Sequence, residues 1–193
     1  MSQVAAQSRF AAALSDLMSR IPSSGELPSH CPHQRAKEIR NRAAAQAGLT
    51  SGAMALPPGP LGLMTALPDL MNTYRIQQQM VADIAACYGK TAELSRESMI
   101  YCLFKQGAAA LVRDLVVRAG EKILVRKASL KMMQTLLEKL GIQVSQRVLA
   151  KSAARWLPLV GAVALGAYSA KDTHEVGDNA IEIFSASVET VNS

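Results

Sequence analysis

Twenty-six consecutive residues, Ala43 to Pro68, carry no charge, and this run limits what the chain can fold into more than any other feature. A membrane-spanning helix needs roughly 20 apolar residues, so length alone would admit one. Pro57, Pro58 and Pro60 lie inside the run, however. Proline in a helix interior removes a hydrogen bond and clashes with the preceding turn. The run is therefore predicted to break at Pro57-Pro58-Gly59-Pro60 into a helical hairpin, with Gly62 just beyond the break. Its first arm, Ala43 to Leu56, is only about 21 Å long against a hydrocarbon core of about 30 Å. Such an arm can dip into a bilayer but cannot cross it unaided.

A second uncharged stretch, Trp156 to Ala170, holds Pro158, Gly161 and Gly166 and is expected to form a similar hairpin. Small residues recur every four positions in both stretches: Ala44, Gly48 and Gly52 in the first, Ala162, Gly166 and Ala170 in the second. A ridge of this kind, a glycine zipper, lets helix backbones approach closely. That serves helices in lipid, where the hydrophobic drive is absent, and it serves a tightly packed soluble core as well.

The rest of the chain also reads as helix. Hydrophobic residues make up 49% of the 193 but aromatic ones only 4%, so the apolar mass is mostly Ala, Leu, Val and Met, the residues of helices rather than strands. Phe10, Leu14, Leu17, Met18 and Ile21 mark a short amphipathic helix that stops at Pro22-Ser23-Ser24-Gly25. A helix is predicted to start at Pro68-Asp69 and to stop at Gly89. Others are expected from about Ser95 to Ala119, from Glu121 to Leu140 with a stop at Gly141, and from Gln143 to Arg155. A last helix begins at the capping-box spacing Asp172-Thr173-His174-Glu175 and carries Val176, Ala180, Ile183, Phe184, Val188 and Val191. No alternating strand pattern stands out. The expected fold is all-α, a single-domain helical bundle with two Gly/Ala/Pro-rich apolar hairpins. Residues 1–34 form an N-terminal helix and linker, and 35–193 the main domain.

Charge is unevenly spread over this scaffold. Arg113 to Arg155 contains ten Lys/Arg against three acids, whereas Asp172 onward contains five acids and no Lys or Arg. The basic candidates are Arg113, Arg118, Lys122, Arg126, Lys127, Lys131, Arg147, Lys151 and Arg155. They suit an anionic leaflet, where each contributes about 1 kcal/mol. They also suit a solvated face partly neutralised by the C-terminal helix. Nucleic acid is not expected, because aromatics for stacking are few and no recognition motif is present.

Chemistry-bearing motifs are sparse. Cys31, Cys87 and Cys102 are an odd number without framework spacing, which points to a reducing compartment. Met1 to Arg20 lacks the apolar core of a Sec signal. His30-Cys31-Pro32-His33 offers three ligand types in four residues, but a closed zinc site needs four ligands, and an ordinary loop is expected with no metal. Ser51 lacks the Gly-x-Ser-x-Gly elbow. No phosphate-cradling loop with its lysine is present. Asp69 closes the uncharged run and suits a first helical turn. The chain is expected not to be an enzyme and to need no cofactor.

Ala43 to Gly52, Leu56-Pro57-Pro58-Gly59-Pro60-Leu61-Gly62, Leu67-Pro68-Asp69-Leu70, Gln77 to Met80, Asp83-Ile84-Ala85 and Tyr88-Gly89 together resemble the EcsC family of bacterial proteins. Trp156-Leu157-Pro158-Leu159-Val160-Gly161-Ala162 through Gly166, with Ala180 and Phe184, is similar to that family's second block. The resemblance begins near Arg35, so His30-Cys31-Pro32-His33 lies outside it. It implies a helical, membrane-linked bacterial protein, named for a neighbour of an ABC transporter, and supplies no catalytic residues.

Three functions follow as expectations. The first is a cytoplasmic protein, peripheral to the inner membrane, that binds an anionic bilayer through hairpins and basic helices, with a membrane transporter as possible partner. The second is a pore-forming toxin or interbacterial effector, exported by a non-Sec route and partnered by a secretion system and an immunity protein. The third is a soluble lipid-binding or protein-interaction module.

Overall fold

The computed structural model describes residues 12–54, 60–119, 122–152 and 158–192, with side chains at 12–53, 68–119, 122–140, 142 and 162–186. Six helices appear in chain order: α1 (residues 12–19), α2 (Pro32–Met54), α3 (Pro60–Cys87), α4 (Arg96–Val112), α5 (Leu130–Ser152) and α6 (Pro158–Ser185). The protein is predominantly helical, and one connected set of buried side chains runs through it.

Local chemistry sets most helix ends. Pro32 and Pro158 open α2 and α6, a position where the missing proline N–H costs nothing. α3 stops at Gly89, whose φ of 71° is left-handed. There the Gly89 N–H donates to Ala86 O at 2.8 Å and the Lys90 N–H to Ala85 O at 2.8 Å, the paired bonds of a Schellman ending. Ser95 caps α4 through reciprocal bonds with Ser98.

α2, α3 and α6 form the centre of the molecule. α1 buries Leu14 and Met18 in the same core. It ends short of Ile21, which is exposed, and Phe10 lies outside the described residues. The segment after α1 is tied down by α3: Gln78 Nε2 donates to Leu17 O at 3.1 Å, Gln79 Nε2 to Ser23 O at 3.1 Å, and Ser24 Oγ to Asp83 Oδ1 at 2.7 Å. α4 joins α3 through the rings of Tyr74 and Phe104, 5.3 Å apart, and joins α6 through Asn179 Nδ2, which donates to Cys102 O at 3.1 Å.

Several boundaries differ from those read in the sequence. α3 starts at Pro60, not at Pro68, and passes through Pro68. α5 runs through Gly141 without stopping. The second uncharged stretch is not a hairpin: it forms the first half of one continuous α6, which also continues through Asp172 where a cap was expected. In the first stretch, α2 and α3 supply the two arms, while Pro57, Pro58 and Gly59 lie outside the described residues.

The largest departure is a small sheet. The helix expected to reach Ala119 ends at Val112, after a non-helical Ala108 (φ −146°, ψ 40°). A helical turn at Arg113–Leu115 leads into β1 (Val116–Ala119), which pairs antiparallel with β2 (Lys122–Lys127); β3 (Ser187–Asn192) lies parallel on β2's other side. Val188 and Val191 therefore belong to a strand and not to the last helix. β2 alternates as a half-buried strand should: Ile123 and Val125 are buried and Lys122 and Arg126 exposed.

Candidate functional site

The two small-residue ridges meet each other. A Cβ added at Gly48 would stand 3.0 Å from Ala170 Cβ and 3.0 Å from Gly166 O. One at Gly166 would stand 2.8 Å from Gly48 O and 3.5 Å from Gly52 Cα, and one at Gly52 would stand 3.4 Å from Ala162 O. Rising numbers on α2 meet falling numbers on α6, so the helices are antiparallel with backbones nearly in contact. Ala44 and Ala162 are buried on the same seam. Gly62, Gly161 and Pro60 are placed only as helix backbone.

Gly177 continues the α6 ridge and was not evident from sequence, because it lies beyond the uncharged stretch. The stem of Arg40 passes across it, and the Arg40 guanidinium reaches Asp178 on the same helix.

A line of buried polar side chains crosses the interface of these helices with α3. Ser51 Oγ donates to Asp69 Oδ1 at 2.8 Å. The Ser51 and Thr73 hydroxyls lie 3.3 Å apart, and those of Thr73 and Ser169 3.4 Å apart. One turn further along α3, Gln77 Nε2 donates to Asp172 Oδ2 at 2.8 Å and to Thr173 Oγ1 at 3.2 Å. Gln77 is fully buried, and its Oε1 has no hydrogen-bond partner. Asp69, Thr73 and Gln77 recur every fourth residue on one face of α3. Sequence reasoning found Asp69 and marked Gln77 within the family-like run Gln77 to Met80, but passed over Thr73 and Ser169, because isolated polar residues within an apolar stripe give no separate signal. Ser51 has a carboxylate for a partner and no imidazole, so a nucleophile activated by histidine is not assembled there.

The antiparallel packing brings the uncharged halves of three helices to one end: residues 43–54 of α2, 60–68 of α3 and 158–170 of α6. Arg42, Asp69, Arg155 and Lys171 bound them in sequence. Leu49 (76% exposed), Val163 (73%) and Tyr168 (47%) face outward there. Among the described residues, no helix is long and apolar enough to cross a membrane.

Most of the basic positions with described side chains cluster elsewhere. Arg118, Lys122, Arg126 and Lys127 lie on the hairpin, with Arg113 just before it and Lys131 at the start of α5, all exposed. Arg113 pairs with Asp114 at 3.3 Å, and Arg118 shares Glu182 (3.5 Å) with Lys105 (2.8 Å). Glu182 is sixteen residues past Gly166, roughly 24 Å along α6. The acidic half of α6 thus neutralises part of the basic charge, while the charge-free end lies away from the hairpin. Arg147 and Lys151 are placed as backbone in α5, and Arg155 lies outside the described residues.

His30-Cys31-Pro32-His33 forms the approach to α2 and its first turn. His33 Nδ1 is 3.2 Å from the Tyr88 hydroxyl, and among the described residues no group of three or more His, Cys, Asp or Glu is arranged to hold a metal ion. All three thiols are free, Cys31 exposed and Cys87 and Cys102 buried. Burial pushes the Cys87 thiol up to about 11 and raises that of Cys102 further. Comparison of the chain with protein families, with curated proteins and with solved structures gives no match.

Proposed function

We propose that this protein binds the surface of an anionic bilayer, and that its charge-free three-helix end is the part that enters the interface. The convergence of three uncharged helical halves, with Leu49, Val163 and Tyr168 turned outward, carries this reading. Residues 43–54 and 158–170 extend only about 18 and 20 Å, against a hydrocarbon core of about 30 Å. Shallow docking is therefore favoured over spanning. Transfer of Leu49 and Val163 out of water contributes about 1.5–3 kcal/mol each.

The exposed hairpin cations would meet the same bilayer when α6 lies along its surface, and would add a salt-sensitive component. The resemblance to the EcsC family points the same way. On this reading the protein works at the cytoplasmic face of a bacterial inner membrane, and a transporter embedded there is a fitting neighbour.

Flotation with vesicles containing phosphatidylglycerol tests the proposal. Binding should persist in high salt and fall roughly tenfold or more in Leu49→Asp and in Val163→Asp, with thermal stability unchanged because both side chains are exposed. Failure of the parent to float, or equal flotation of parent and variants, removes the reading.

A further inference from the structure

A cleft of about 270 Å³ opens between α2 and α3 just above the charge-free end. Arg42 on α2 and Arg75 on α3 line it, and among the described residues neither guanidinium makes an ion pair or a side-chain hydrogen bond. Both are exposed, as are the neighbouring amides of Gln46 and Gln79, while Ile39 and Met80 form a buried apolar floor.

The carboxylates of the cleft are already engaged. Glu26 is held by Arg35 at 2.7 and 3.2 Å, and Asp83 accepts from Ser24 at 2.7 Å and from Gln79 at 2.8 Å. Arg35 is shared with Glu38 at 3.1 Å, so the lining holds two guanidiniums, Arg42 and Arg75, and two carboxylates, Glu26 and Asp83, whose hydrogen bonds run to other partners and not to these guanidiniums. Asp83 sits eight residues beyond Arg75 on α3, a rise of roughly 12 Å between the two backbone positions. Arg42 and Arg75 are therefore the charged groups of the cleft left open to an incoming oxyanion.

Position narrows the ligand. Arg42 is the residue immediately before the uncharged run of α2, and Arg75 lies seven residues, roughly 10 Å, beyond its end on α3. We propose that Arg42 and Arg75 bind a phosphate group, each guanidinium presenting its planar fork to the phosphate oxygens, while the apolar floor accepts the carbon chain or ring that carries it. A phospholipid headgroup and a free phosphate share this chemistry, and the tests separate them. The cleft is read from its own charges and does not require the bilayer reading to hold.

Isothermal titration with monomeric dihexanoyl phosphatidate and with inorganic phosphate supplies the two arms. The parent should bind the short-chain lipid saturably, and Arg42→Gln/Arg75→Gln should bind it about tenfold or more weakly, with an unchanged melting temperature. Tighter binding of the lipid than of inorganic phosphate assigns the site to a lipid phosphate, and equal affinity assigns it to free phosphate. Leu49→Asp should retain short-chain binding, so loss of vesicle flotation alone leaves the cleft intact. A parent that binds neither probe, or a double variant that binds as the parent does, overturns the proposal.

Discussion

Gly177 of α6 lies directly under the side chain of Arg40 on α2: a Cβ at position 177 would stand 2.3 Å from Arg40 Cγ and 3.0 Å from its Cβ. The missing methyl lets the arginine stem lie flat on α6 and carry its guanidinium to Asp178. A glycine that weakens the helix is thus matched by an interhelical contact that no other residue type would leave room for.

Gly177→Ala should therefore lower stability, even though alanine inside a helix is intrinsically favoured by about 1 kcal/mol. In an Arg40→Ala background the same change should be neutral or stabilising. Urea unfolding of the four proteins in a double-mutant cycle measures the coupling. A Gly177→Ala protein more stable than the parent would show that the stem of Arg40 moves aside freely.

The ridge glycines should rank by what a methyl would meet. Gly166→Ala presses on the Gly48 carbonyl oxygen at 2.8 Å and should cost about 1–3 kcal/mol. Gly48→Ala, at 3.0 Å from two atoms, should cost a comparable amount, because neither the Ala170 methyl nor the Gly166 carbonyl can swing aside. Gly52→Ala meets only an ordinary contact at 3.4 Å and should be neutral or gain up to about 1 kcal/mol. Denaturant midpoints for the three variants test this order, and Gly166→Ala as the most stable of them would contradict the near-contact of α2 with α6.

Alkaline pH should destabilise the fold through its buried thiols. Burial raises Cys87 from 9.0 to about 11 and raises Cys102 as well. Above pH 9 the unfolded chain gives up these protons while the folded chain keeps them, so stability is complete below pH 9 and declines toward and beyond pH 11. Cys87→Ala should flatten the decline. Alkylation of the native protein at pH 8 should modify the exposed Cys31 first, and equal rates at all three cysteines would contradict the burial of the other two.

Much of the helical scaffold was legible where one local signal settled the matter. The stop at Gly89 needed only a left-handed glycine after an apolar stripe, and the four-residue spacing of Gly48-Gly52 and Ala162-Gly166-Ala170 marked the surfaces that touch. The errors arose where longer-range pairing overrode local rules. Pro68 reads as a helix start, yet α3 passes through it while Asp69, the next residue, bonds Ser51 across the interface. Asp172 has the spacing of a cap, but its carboxylate accepts from Gln77 and the helix continues. The sheet was hidden because Val116-Val117 and Ile123-Leu124-Val125 are too short to show a period, although β-branched residues on both sides of Gly120 are a hairpin signal. Of the candidate site, the uncharged halves were visible in the sequence. Their gathering at one end was not, since it depends on the antiparallel course of α2 and α6.

The parallel pairing of β3 with β2, in which Ser187 lies opposite Lys122, also dictates timing on the ribosome. β1 and β2 can pair as soon as they emerge, but the free flank of β2 must wait for a partner made some 65 residues later. At about 5–20 residues per second this is an interval of roughly 3–13 seconds. During it the nascent hairpin presents an unsatisfied row of backbone donors and acceptors to any other chain nearby, so the interval before β3 arrives is when a chaperone would matter most.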